Sequence, residues 1–141
     1  MENKKDFYSN LNHNRRKNVQ GEGIFSNCIG TALYLVGEKE KDEYLWKERQ
    51  KILRKLTPAN SPELGYLVSW ERKGKTFHLG VVVNKTPLKI AERDGCEGPF
   101  NPSKLSTEID ERYFLGEKGD EVKYYIPSKL QKILEKEGEL K

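Results

Sequence analysis

From residue 63 to residue 95 the chain reads ELGYLVSWERKGKTFHLGVVVNKTPLKIAERDG, and no other stretch limits the fold as much. Three runs, 66–71, 76–84 and 88–93, are rich in β-branched, aromatic and aliphatic residues and have the length of strands. Between them lie RKGK and NKTP, short turns marked by Gly and Pro. Turns of that length join antiparallel neighbours, because a parallel crossover needs a dozen residues or more. The middle of the chain therefore predicts a meander of antiparallel strands.

Helical spacing lies ahead of it. In SNCIGTALYLVG, residues 26–37, Ser26 or Asn27 can cap a helix start, and Ile29, Leu33 and Val36 recur at three and four. Ala32 and Leu35 thicken that stripe and Gly37 is a natural stop, so 24–37 reads as a short helix buried on most sides. Residues 38–56 are charged and helix-favouring, and Leu45, Trp46, Ile52, Leu53 and Leu56 give them an amphipathic face. TPANSPELG then breaks the pattern. After the meander, 94–103 reads as a loop rich in Gly, Pro and Asn, and 112–115 with 121–126 as a hairpin around LGEKGD. Pro127 suits the first turn of a closing helix with Leu130, Ile133 and Leu134 inward and Gly138 at its end. Helices first, strands afterwards and a final helix predict an α+β fold, a mostly antiparallel sheet packed on the early helices. The expected organisation is one domain, 1–141: a polar arm over 1–23 ending in Gly21-Glu22-Gly23, a core over 24–126, and a C-terminal helix over 127–141.

Composition narrows the function classes. Hydrophobic residues make up 35% and charged ones 34%, but seven Tyr, five Phe and two Trp supply enough large apolar surface for a core. A net charge of +4 does not announce a nucleic-acid binder, and the HNRRKN cluster reads as a solvated arm. No run has the length of a membrane span, and the first residues lack the apolar core of a signal peptide. A cytoplasmic, reducing setting is expected, with Cys28 and Cys96 free. Cys96, in DGCEGPF, has no further Cys or His at metal-ligand spacing and reads as incidental.

Cys28 carries the chemistry. A cysteine at the first turn of a helix feels the positive end of the helix dipole, which favours the thiolate. Nearby backbone N–H groups can steady an oxyanion. Acyl transfer also needs a base, best a histidine oriented by a third polar group. Of the two histidines, His13 lies in the polar arm, whereas His78 opens HLGVVV with its backbone fixed by a strand. Alternation along the next strand puts Glu92 and Asp94 on one face and Arg93 on the other, so either carboxylate can meet His78. Trp46 and Trp70 read as core or groove-lining aromatics.

NCIGTALYLVG followed by ELGYLVSWERKGKTFHLGVVV resembles the NlpC-type peptidases and amidases and their papain-like relatives. In that family an Asp-Cys-Ser-Gly-Leu-like motif starts the catalytic helix, and a Gly-Asp-Leu-Val strand leads to one opening with His-Val-Gly. Asn27, Cys28 and Gly30 fall on the first motif, and Leu67 and Val68 on the first strand. His78 and Gly80 fall on the His-x-Gly element. The resemblance implies Cys28 as nucleophile, His78 as base and Glu92 in the place of the third polar residue. The family often has a tyrosine just before the Asp-Cys pair, where this chain has Ser26. The expectation is a papain-like thiol hydrolase that cleaves an amide bond in a peptide or peptide-like substrate, a cell-wall peptide being one candidate. It needs no metal or organic cofactor, nucleic acid or membrane. The alternative is a catalytically inactive papain-like binding or regulatory module. Oligomeric state stays open.

Overall fold

A computed structural model describes residues 2–19, 26–95, 98–113 and 120–139. Helix α1 (Lys4–Ser9) starts at Asn3, whose side chain accepts from the N–H of Asp6 in a capping box, and runs on through a π-helical and a 3-10 turn. Helix α2 is Cys28–Leu35 and α3 is Arg49–Arg54. The strands are β1 (Thr57–Ala59), β2 (Leu67–Arg72), β3 (Lys75–Asn84), β4 (Lys89–Arg93), β5 (Phe100–Leu105) and β6 (Asp120–Ile126). Helix α4 (Ser106–Arg112) precedes β6, and α5 (Ser128–Lys136) closes the chain before Gly138.

The architecture is α+β. The six strands of the described residues form one sheet in the order β1-β6-β2-β3-β4-β5, with every pair antiparallel. The three central strands lie within a residue of the expected positions. Helix α2 packs on β3 and β4, and its eight residues are all buried. One apolar core joins Ile29 and Leu33 of α2, Leu67, Leu79 and Ile90 of the sheet, and Leu130 of α5.

Four expectations need correction. The helix read over 38–56 is only α3, and residues 42–46 run without helical structure. Asn27 captures their backbone, its side-chain amide donating to the carbonyl of Leu45 at 2.8 Å and its oxygen accepting from the Leu45 N–H at 3.1 Å. Asp42, drawn inward, meets Arg93 at 3.0 Å and accepts from Thr31 Oγ1 at 2.6 Å. A side chain thus takes the amide that helix formation would need. The expected loop 94–103 gives way at residue 100 to β5, which pairs with β4. Pro102 on β5 and Pro58 on β1 both fit because those strands are the two edges of the sheet. Of the first arm of the expected hairpin, 112–115, Arg112 instead ends α4 and Tyr113 caps it, while residues 114–119 lie outside the described set. Finally, the N-terminal segment is seated rather than free. Phe7 and Leu11 are buried and Lys4 pairs with Glu139 at 2.6 Å, although Gly21-Glu22-Gly23 and Ile24 lie outside the described residues. No described helix is long and apolar enough to cross a membrane.

Candidate active site

Asn27 caps α2, its side-chain oxygen accepting from the N–H of Gly30 at 2.9 Å, and that cap places Cys28 at the first helical position. Cys28 is a free thiol and 4% exposed. Its sulfur lies 3.9 Å from the carbonyl oxygen of Phe77, the residue before His78. The Cys28 N–H, an expected oxyanion donor, is held by the carbonyl of Gly95 at 3.0 Å.

His78 is completely buried, and both its ring nitrogens are engaged. Nε2 meets Glu92 Oε1 at 2.8 Å, and Nδ1 meets the hydroxyl of Tyr113 at 3.1 Å. Trp70 and Tyr113 lie tilted against the ring with centroids at 5.2 and 4.7 Å. Trp70 is itself pinned through Nε1 to Asp110 Oδ1 at 2.8 Å. Glu92 also accepts from Arg112 Nη1 at 2.7 Å and from Asn101 Nδ2. Asp94, the other carboxylate considered, instead pairs with Arg112 at 3.2 Å. His78 and Glu92 are thus brought together. No hydrogen bond among the described residues joins the thiol to the imidazole.

Electrostatics fix the protonation states. Burial alone would raise the Glu92 carboxyl, but the bonds from His78, Arg112 and Asn101 outweigh it and hold it at about 2. Burial lowers the His78 imidazole, and its bond to Glu92 only partly restores it. At neutral pH the pair is therefore a neutral ring and an ionised carboxylate, with the Nε2 proton donated to Glu92. Nδ1 then carries the lone pair that accepts the Tyr113 proton, and burial keeps that hydroxyl protonated by raising it to about 12.

The thiol departs from expectation. Burial pushes Cys28 up to about 11, although the backbone N–H groups of Leu79 and Ile29 pull the other way. Desolvation outweighs the helix start, so the resting group is a thiol. Iodoacetamide should accordingly label Cys28 more slowly than a free thiol between pH 7 and 9, with the rate still climbing beyond. A plateau below pH 8 would contradict this environment.

A cleft of about 200 Å³ opens at Cys28, lined by Asn27, Cys28, Tyr44, Trp46, Phe77 and Gly95. Trp46 is thus groove-lining and Trp70 core. Sequence reasoning missed Tyr113, Arg112, Asn101, Tyr44 and Phe77. The first three come from β5 and α4, elements it did not anticipate, and nothing local marks them. Cys96 lies outside the described residues.

Tyr113→Phe isolates one contact. It removes the hydroxyl from Nδ1 and keeps most of the ring packing, so the neutral imidazole loses a stabilising donor and its titration midpoint should rise. Nitrogen NMR of the imidazole reads this directly, and stability should fall by about 1 kcal/mol. An unchanged midpoint would show that the hydroxyl does not hold Nδ1.

No family model, curated protein or solved structure matches this chain.

Proposed function

We propose that the chain is a papain-like thiol hydrolase that cleaves an amide bond in a peptide or peptide-like substrate and works in the cytoplasm. The observation that carries this reading is the buried Nε2–Glu92 bond of 2.8 Å. It fixes the tautomer that leaves Nδ1 as a base, on a ring whose strand also touches the Cys28 sulfur through the Phe77 carbonyl. Orientation of an imidazole by a buried carboxylate is the third element of a nucleophile–base–acid arrangement.

The raised thiol and lowered imidazole favour a neutral pair over a preformed ion pair. Nδ1 takes the thiol proton as sulfur adds to the carbonyl carbon, and Glu92 stabilises the imidazolium that forms. This requires the Tyr113 hydroxyl to give up Nδ1. Cys28 is close enough to Tyr113 for a thiolate to oppose ionisation of the phenol. The released hydroxyl is then a donor for the oxyanion, in a chain that has Ser26 where the resembled family often has tyrosine. Nδ1–H next protonates the leaving amine, and water resolves the acyl-enzyme with His78 again as base.

Complete burial of His78 and the elevated thiol favour a second reading, a papain-like binding or regulatory module without turnover. Incubation with a mixed peptide library, followed by mass spectrometry of new N-termini, separates the two. The hydrolase produces termini that vanish with Cys28→Ser and with His78→Gln. If no terminus depends on Cys28, the module reading stands.

A further inference from the structure

The cleft beside Cys28 is built from rings. Tyr44, Trp46 and Phe77 line it, and no lining side chain carries a formal charge. Two of these rings are braced by neighbouring side chains. The Arg49 guanidinium lies 3.7 Å from the Trp46 ring centroid and donates to the Trp46 carbonyl at 3.0 Å. Phe77 meets the Tyr113 ring edge-on at 5.3 Å and lies under Arg72 at 4.7 Å. Tyr44, at 40% exposure, is one of two large hydrophobic side chains exposed among the described residues. An aromatic this exposed, beside two further rings and Cys28, gives the cleft an apolar rim that water can reach.

The volume fixes what it can hold. About 200 Å³ lies below the 300–1,000 Å³ typical of pockets that enclose a whole small ligand, so the cleft suits one side chain. Three rings favour an aromatic or bulky apolar group over a polar one, which would lose its hydration there.

We infer that this cleft is the specificity pocket of the proposed hydrolase, seating an aromatic or bulky apolar side chain next to the amide that Cys28 attacks. The inference rests on Cys28 as nucleophile but can be tested without turnover. The full chain is treated with N-benzyl-2-chloroacetamide and, separately, with 2-chloroacetamide. In each reaction sulfur displaces chloride and the thiol proton passes to buffer. The labelled Cys28 peptide is quantified over time, and each rate is divided by that of glutathione with the same reagent.

The expected normalised preference for the benzyl reagent is about three- to tenfold, the range that one aromatic contact supports. It should fall towards one in Tyr44→Ala, an exposed position whose loss leaves the core intact, and in Trp46→Ala. A preference near one in the unmodified chain overturns the pocket, as does a preference that survives both substitutions. The peptide-library experiment judges turnover separately, so a benzyl preference without Cys28-dependent cleavage keeps the pocket and removes the hydrolase.

Discussion

Glu92→Gln should lower the thermal midpoint by about 10–15 °C and reduce any Cys28-dependent cleavage on the order of a thousandfold. The carboxamide keeps the shape but replaces one acceptor oxygen with a donor. In the native site that carboxylate receives Nε2 of His78 at 2.8 Å, Nη1 of Arg112 at 2.7 Å and Nδ2 of Asn101. A donor placed there opposes at least one of the three, and among the described residues Arg112 keeps only the partly exposed Asp94 as counter-charge. Removing one partner of a fully buried pair costs about 3–5 kcal/mol, and because Arg112 is partly exposed the loss falls at the lower end, about 3 kcal/mol. Asp94→Asn is the contrast, since a pair at the surface contributes about 1 kcal/mol at most.

The same carboxylate sets an acid limb. Its pKa of about 2 in the fold lies below the ordinary 4.5, so the folded state binds the proton less readily than the unfolded chain. The stability it contributes is complete above pH 4.5 and is lost as pH falls towards 2. With screening allowed for, that amounts to about 2–3 kcal/mol. Urea midpoints at pH 7 and pH 3 read it: the unmodified chain should lose stability over this interval, and the Gln variant should lose distinctly less. Equal losses would assign the acid sensitivity to other groups.

The sequence made some elements legible and hid others for identifiable reasons. The central meander was readable because β2, β3 and β4 follow one another through short turns, so local pattern and tertiary pairing agree. The capped start of α2 and the face on which Glu92 sits followed from spacing alone. The long helix over 38–56 was not readable as false, since its periodicity is real. It failed because the backbone of Leu45 bonds the side chain of Asn27, eighteen residues earlier, and because Asp42 is drawn into a buried pair with Arg93. Strand β5 was hidden by Pro102, which argues against an interior strand but not an edge. Arg112 and Tyr113 were invisible as site residues because α4 brings them to His78 and Glu92 from twenty residues or more along the chain. Local composition registers none of these long-range captures.

Gly30→Ala tests how tightly the nucleophile's helix is locked to the wall of the cleft, and here two effects of opposite sign compete. Within a helix, alanine is favoured over glycine by about 1 kcal/mol, so propensity predicts a more stable protein. A Cβ on Gly30, however, would lie 1.7 Å from the carbonyl oxygen of Glu43 and 2.8 Å from its carbon. Both are backbone atoms, with no rotamer to yield, so either α2 or the 42–46 segment must move. That segment carries Asp42, which holds Arg93, then Tyr44, which lines the cleft, and Leu45, which holds Asn27. The clash therefore wins, and a loss of about 3 kcal/mol or more is expected. The benzyl preference of Cys28 labelling should disappear with it, since Tyr44 moves with the segment. Denaturant unfolding and peptide-resolved labelling of the same variant provide both readouts. A stabilised Gly30→Ala protein that retains the aromatic preference would mean that α2 and the 42–46 segment do not pack at this distance in solution.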